Sequence, residues 1–290
     1  MKKLKKISVI GMGLLGSSVT LSAKRELPGT VVFGYSHRES TRQKARQYEV
    51  ANEITETLEQ AVADMDLVIL ATPIQTFKDY FKEIAPFLKS GCIVTDVGST
   101  KRLPHQWAAK NLSKDVFYVG SHPIAGSEKR GLEYARDDLL AGAKCILTKI
   151  AGTNTDCVEV LDKFWSKLGC RVSLMSPQTH DRIFGMVSHL PHMTAAALVN
   201  ANQWQDIQYA GRGFIDTTRV ASGPSNVWSD ILQTNSQNCA KGIEKLIDQL
   251  EQLLDAVKRQ DAQKIEKLLD KARDKRSKLI QYKIDNQELF

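Results

Sequence analysis

The segment Gly11-Met12-Gly13-Leu14-Leu15-Gly16 joins an apolar run, Ile7–Ile10, to an amphipathic helical pattern. In that context the first glycine permits a tight turn, the second lets backbone N–H groups approach a diphosphate, and the third lets helix pack on strand. The diphosphate would rest on the positive end of the helix dipole, with Leu14 and Leu15 in the first turn. A NAD-binding unit places a carboxylate at the end of the next strand, about 20 residues on, to hold the adenosine ribose. Here that strand runs into Ser36-His37-Arg38, which offers a 2′-phosphate a hydroxyl and a guanidinium and no carboxylate to repel it. These residues favour NADP, with NAD as the alternative should Arg38 only stack on the adenine.

Farther along, Ala71-Thr72-Pro73 and Asp96-Val97-Gly98-Ser99 follow the third and fourth strand candidates, at the edge where a nicotinamide would extend. Thr72, Pro73 and Asp96 therefore join the cofactor candidates. His122, in a loop reading Gly120-Ser121-His122-Pro123-Ile124-Ala125-Gly126-Ser127-Glu128, is the leading general acid/base candidate, because imidazole titrates near neutrality. His189 and His192 stand three apart on a helix face, but no Asp, Glu or Cys nearby has matching ligand spacing, so no metal is expected. Arg219 suits a carboxylate clamp, since the planar guanidinium makes paired hydrogen bonds; the alternative is an internal bridge to Asp216 at i−3.

These groups need a scaffold, and the first part of the chain alternates short apolar runs with longer helical patterns, the signature of βαβ units. Strands are expected at Ile7–Ile10, Val31–Tyr35, Leu67–Ala71, Cys92–Asp96, Phe117–Gly120, Lys144–Thr148 and Arg171–Leu174. Helices are expected near Leu14–Arg25, Ser40–Tyr48, Thr76–Leu88 and Asp156–Leu168. After Leu174 only helical patterns remain, and Ser176-Pro177 reads as an N-cap followed by proline at the first helical position. The fold class is thus an α/β Rossmann-type nucleotide-binding domain, residues 1–175, followed by an all-α domain, residues 176–290. Within the latter, Ile243, Leu246, Ile247, Leu250, Leu253, Leu254 and Val257 share one helical face, and Ile265, Leu268, Leu269 and Ala272 another. Those faces fit equally an intradomain core and a dimer seam.

With 290 residues, 42% hydrophobic and 25% charged, the chain is neither a disordered nor a membrane-spanning one. Its net charge of +7 shows no basic stripe with interleaved aromatics, which argues against nucleic acid. Cys92, Cys145, Cys157, Cys170 and Cys239 are odd in number, scattered and without a Cys-x-x-Cys pair, as expected of idle thiols in a reducing cytosol. Lys2–Lys6 before an apolar run resembles a secretory signal, but the glycines that interrupt the run have the stronger explanation given above.

Taken together, Gly11–Gly16, Thr72-Pro73, Thr95–Lys101, Gly120–Gly131, Val187–His192 and Gly213–Arg219, with Trp228 following, resemble the prephenate and arogenate dehydrogenase family of tyrosine biosynthesis. The resemblance implies a dinucleotide-binding domain, a helical domain that forms a homodimer through the C-terminal helices, and a site in the cleft between them. It implies that hydride leaves the ring carbon bearing the hydroxyl while the ring carboxylate departs as CO2. By motif position His122 would polarise or deprotonate the ring hydroxyl, assisted by Ser99. Arg219 would bind a substrate carboxylate, His192 would orient the substrate, and Ser127 and Glu128 would lie at the pocket mouth. Trp228 would complete the pocket, with the neighbouring subunit as its source, and His189 would serve helix packing. Neither a preceding chorismate mutase nor a following regulatory domain is expected. Two other readings stand beside this one. A β-hydroxyacid dehydrogenase or imine reductase-like enzyme would need an inter-domain lysine, and none lies between Ile183 and Asn202. A non-catalytic NAD(P)-sensing protein would have no use for His122 and Arg219.

Overall fold

The structure, a computed structural model, describes residues 4–125, 129 and 131–288. The chain divides into two compact units, Met1–Cys239 and Ala240–Phe290. In the first, six strands form a parallel sheet: β1 (Lys6–Ile10), β2 (Val31–Tyr35), β3 (Glu53–Ile54), β4 (Leu67–Leu70), β5 (Ile93–Asp96) and β6 (Phe117–Tyr118), in the order β3-β2-β1-β4-β5-β6. Every residue of β4 and β5 is buried, as parallel strands covered on both faces require. The covering helices are α1 (Leu14–Glu26), α2 (Glu39–Gln47), α3 (Leu58–Val62), α4 (Phe77–Ile84), α5 (Arg102–Asn111) and α6 (Thr155–Lys167). Side chains on one face of the sheet, among them Ile7, Val9, Leu67 and Ile93, share a core with Phe164 and Trp165 of α6. On the other face Ile10, Val68, Leu70 and Val94 pack with Phe77 and Phe81 of α4.

The expected strand Phe117–Gly120 ends at Tyr118, and Gly120 opens a new one. A second sheet of β7 (Gly120–Ile124), β8 (Lys144–Thr148) and β9 (Arg171–Met175) follows in that order, with β7 antiparallel to β8 and β9 parallel to it. His122 therefore stands on a strand, opposite Ile146, and not in a loop. The join between the sheets is specific: Ser121 shares a hydrogen bond with Thr95 of β5 (2.7 Å) and accepts one from the Trp165 indole of α6 (3.0 Å), all three groups buried.

Beyond Met175 the described residues are helical. The Ser176 side chain accepts from the Thr179 N–H and Pro177 opens α7 (Pro177–Phe184), the capping its sequence announces. A π-helical turn, Gly185–His189, leads into α8 (Leu190–Asn200); α9 (Trp204–Ile207), α10 (Arg212–Thr218), a 3-10 turn (Arg219–Ser222) and α11 (Ser225–Thr234) follow. Two long helices, α12 (Ser236–Lys258) and α13 (Ala262–Asp285), close the chain. Within the unit Ala240–Phe290, Ile243, Ile247, Leu250, Leu254, Val257 and Leu269 are exposed, while Leu246, Leu253, Ile265 and Leu268 are partly buried, so much of the apolar stripe of α12 is left uncovered. Among the described residues no helix is long and apolar enough to cross a membrane.

Candidate active site

The sheet order places a topological switch between β1 and β4, and ligands of open α/β sheets bind where such strands end. There Gly11 has φ +108°, and a Cβ on it would lie 2.6 Å from the Ala71 carbonyl carbon and oxygen. A Cβ on Gly16 would lie 2.0 Å from the Gly11 oxygen, so helix α1 crosses the turn as closely as only glycine allows. Gly13 faces open space and is the N-cap of α1 with no side-chain hydrogen bond, while Leu14 and Leu15 are partly buried. An open glycine turn before an uncapped helix N-terminus suits a diphosphate. At the end of β2, Ser36 is buried and its carbonyl accepts from Arg42 (2.9 Å), which also pairs with Glu56. His37 and Arg38 are exposed, and Arg38 has no ion pair among the described residues. Past β4, the Thr72 and Thr76 hydroxyls share a hydrogen bond (2.8 Å), and Thr76 also donates to the Pro73 carbonyl (2.6 Å), which fixes that turn.

Asp96, at the end of β5, is fully buried. One carboxylate oxygen accepts from the buried Lys101 ammonium and from the Gly98 N–H (2.7 Å), the other from the Tyr118 hydroxyl (2.6 Å). With its oxygens so engaged, Asp96 shapes the turn that carries Ser99. Burial, together with the Asp96 charge, pushes the Tyr118 hydroxyl well above its usual range. Ser99 is partly buried.

His122 is partly exposed, with Phe184 5.0 Å from its ring centroid, and its Nδ1 lies 2.9 Å from Nε2 of the buried His180. His180 Nδ1 in turn lies 2.8 Å from Oδ1 of Asp181. Asp181, also buried, accepts the backbone N–H groups of Lys101 (2.7 Å) and Arg102 (2.9 Å) at the start of α5. Desolvation is the main cause that holds His122 well below the usual histidine range, reinforced by His180, Lys101 and His189. The same cause pushes His180 down to about 2. Both imidazoles are therefore neutral at physiological pH. His180, Asp181 and Lys101 were not among the candidates read from the sequence. Lys101 ends the segment Thr95–Lys101, whereas the only local signal of His180 and Asp181 is a histidine beside an aspartate just after the Ser176-Pro177 cap, and nothing in that pair points to His122.

In the helical segments, the His192 ring stacks on Trp228 with centroids 3.6 Å apart and planes 9° apart. A Cβ on Gly223 would lie 2.3 Å from the Trp228 indole nitrogen, so this approach depends on glycine. Trp228 thus packs on a residue of its own chain. His192 is buried, and its Nδ1 has no hydrogen-bond partner among the described residues. His189 is buried too, within reach of Asn235 (3.2 Å), and burial pushes it down to about 4. Arg219 is exposed and forms no ion pair among the described residues; the Asp216 bridge is absent. Ser127 and Glu128 lie outside the described residues.

A parallel sheet in this order with a glycine turn after its first strand defines a Rossmann-type dinucleotide-binding protein. Two family models cover most of the chain: the prephenate dehydrogenase nucleotide-binding domain over residues 19–174, and the prephenate dehydrogenase dimerization domain over residues 176–271. The chain belongs to the prephenate dehydrogenase family. It is 31% identical to the cyclohexadienyl dehydrogenase of Zymomonas mobilis subsp. mobilis over 89% of this chain and 90% of that one. The crystal structure of A. aeolicus prephenate dehydrogenase in complex with hydroxyphenyl propionate and NAD+ has a TM-score of 0.89 and 32% identity, covering 96% of this chain and 99% of that one. Synechocystis arogenate dehydrogenase has a TM-score of 0.82 and 29% identity, covering 94% and 99% of the two chains.

Proposed function

We propose that this protein catalyses NAD(P)-dependent oxidative decarboxylation of prephenate to 4-hydroxyphenylpyruvate, of arogenate to tyrosine, or of both. The observation that carries the reading is a neutral imidazole, His122, held by a buried hydrogen-bond chain in a protein whose first strand ends in a built dinucleotide turn. Gly11, Gly13, Leu14, Leu15 and Gly16 would hold the cofactor diphosphate, with Thr72 and Pro73 along the nicotinamide side. Bound there, the cofactor supplies the hydride acceptor.

His122 takes the proton of the ring hydroxyl as the carbon beneath it is oxidised, with Ser99 as a second hydrogen-bonding group on that oxygen. Cleavage of the bond to the ring carboxylate releases CO2, and the electron pair left behind completes the aromatic ring. His122 then returns its proton to the phenolic oxygen, so the residue ends as it began. Arg219 binds a substrate carboxylate, and His192 orients the substrate beside Trp228. We assign NADP as the preferred cofactor, supported by the exposed, unbridged Arg38 beside Ser36 and His37, with NAD also accepted. The functional division runs 1–175 and 176–290, in keeping with the two family matches. A homodimer is supported by the description of the second match and by the exposed apolar residues of α12 and α13. A cytoplasmic setting is supported by five buried cysteines, none in a disulfide.

The test is reduction of NADP and of NAD with prephenate and with arogenate. Turnover in at least one combination, with the lower Michaelis constant for NADP, is expected. No turnover in any of the four overturns the activity, and a lower constant for NAD overturns the cofactor preference.

A further inference from the structure

We infer that His180 and Asp181 are positioning residues that fix the proton of His122 on Nδ1 and leave its Nε2 as the base. This deepens the reading above and rests on it for the role of His122. The geometry assigns each proton in turn. Asp181 Oδ1 receives the Lys101 N–H and Oδ2 the Arg102 N–H, so the group acts as an acceptor on both oxygens. Toward His180 Nδ1, at 2.8 Å, it again accepts, which puts the His180 proton on Nδ1. A neutral His180 then has only a lone pair on Nε2. The contact from His122 Nδ1 to that atom, at 2.9 Å, must be donated by His122. A neutral His122 with its proton on Nδ1 has a bare Nε2, the nitrogen on the far side of the ring from the relay.

The surroundings keep this order. Lys101, His105 and His189 are the titratable or charged groups acting on the relay imidazoles, with Lys101 itself paired with Asp96, and Tyr118 and Cys239, both neutral, face Asp181. Lys101, His105 and His189 each disfavour a second proton on His180, whose ring stacks on Phe184 with centroids 4.4 Å apart. An isolated imidazole divides its proton between the two nitrogens, and a buried acceptor on one side removes that freedom. The second histidine extends the reach of Asp181 across one more ring, because the carboxylate is committed to the N-terminus of α5 and does not touch His122.

The test compares His180→Phe, which keeps a ring against Phe184 and removes the acceptor, with His180→Gln, whose amide oxygen can still accept from His122 Nδ1. Turnover by His180→Phe is expected to fall about 100-fold with the Michaelis constants within about threefold, the scale of one general-base contribution. His180→Gln is expected to recover at least tenfold of that loss. Nitrogen-15 NMR of the His122 ring in the whole protein should show the proton on Nδ1 in the unaltered protein and in His180→Gln, and almost wholly on Nε2 in His180→Phe, where a buried Nδ1–H would have no acceptor. Near-normal turnover by His180→Phe, or lost turnover with the proton still on Nδ1, overturns the inference, as does a proton on Nε2 in the unaltered protein. The NMR result stands whether or not prephenate and arogenate are substrates, so failure of the activity and failure of the relay are told apart.

Discussion

Replacing Lys101 by Met tests the buried ion pair that supports the active-site turn. Lys101 and Asp96 are both fully buried, and their contact joins the end of β5 to the start of α5. Methionine keeps most of the alkyl stem, so the change isolates loss of the ammonium. Asp96 would retain the Gly98 N–H and the Tyr118 hydroxyl, two of its three donors. Breaking a buried pair by removing one partner costs about 3–5 kcal/mol, and the two surviving hydrogen bonds place this case at about 3 kcal/mol. That corresponds to about a hundredfold in the folding equilibrium. Urea unfolding followed by circular dichroism should show it as a lower midpoint. The double variant Lys101→Met with Asp96→Asn removes both charges of this pair and should recover about 2 kcal/mol of the loss. A Lys101→Met protein within about 0.5 kcal/mol of the unaltered one would refute the idea that this pair holds the turn.

His122→Asn should lose at least about 100-fold in turnover while binding cofactor normally, read by steady-state kinetics and cofactor fluorescence; near-normal turnover would remove His122 from the chemistry. Arg219→Ala should raise the Michaelis constant for substrate about tenfold or more, the scale of a charge-assisted hydrogen bond, and unchanged constants would refute the clamp. Acidification should destabilise the fold between pH 6.5 and 4. His105 and His189 are held down to about 4 by burial, so the folded state binds fewer protons than the unfolded one through that window. Their contribution is complete above the unfolded value near 6.5 and is lost as pH falls toward 4. Urea midpoints at pH 7 and pH 5 give the check, and equal midpoints would contradict it.

The sequence by itself determined what depends on neighbours along the chain. The glycine turn is announced by the strand before it and the helix after it, and a Cβ at Gly16 fails against the Gly11 oxygen of that same crossing, whereas a Cβ at Gly11 would meet Ala71, which only the folded sheet brings near. The strands β1, β2 and β8 begin and end within a residue of the expected bounds, because burial on both faces makes most of their residues apolar. The Ser176-Pro177 cap is likewise local chemistry. Only the tertiary structure decided the rest. Whether Phe117–Ile124 is one strand or two depends on which neighbour each half finds, β5 for Phe117 and Tyr118 and β8 for Gly120–Ile124. The apolar stripe of α12 reads the same for a core or a seam until the packing of its own unit leaves much of it exposed. His122 could be singled out from its motif, but the relay behind it spans 58 residues to His180, and Asp181 reaches back 80 residues to the Lys101 N–H. Such hydrogen bonds carry no periodicity and no fixed spacing. They are set by where a folded chain brings donors and acceptors together out of water, and that is decided only when the whole core forms.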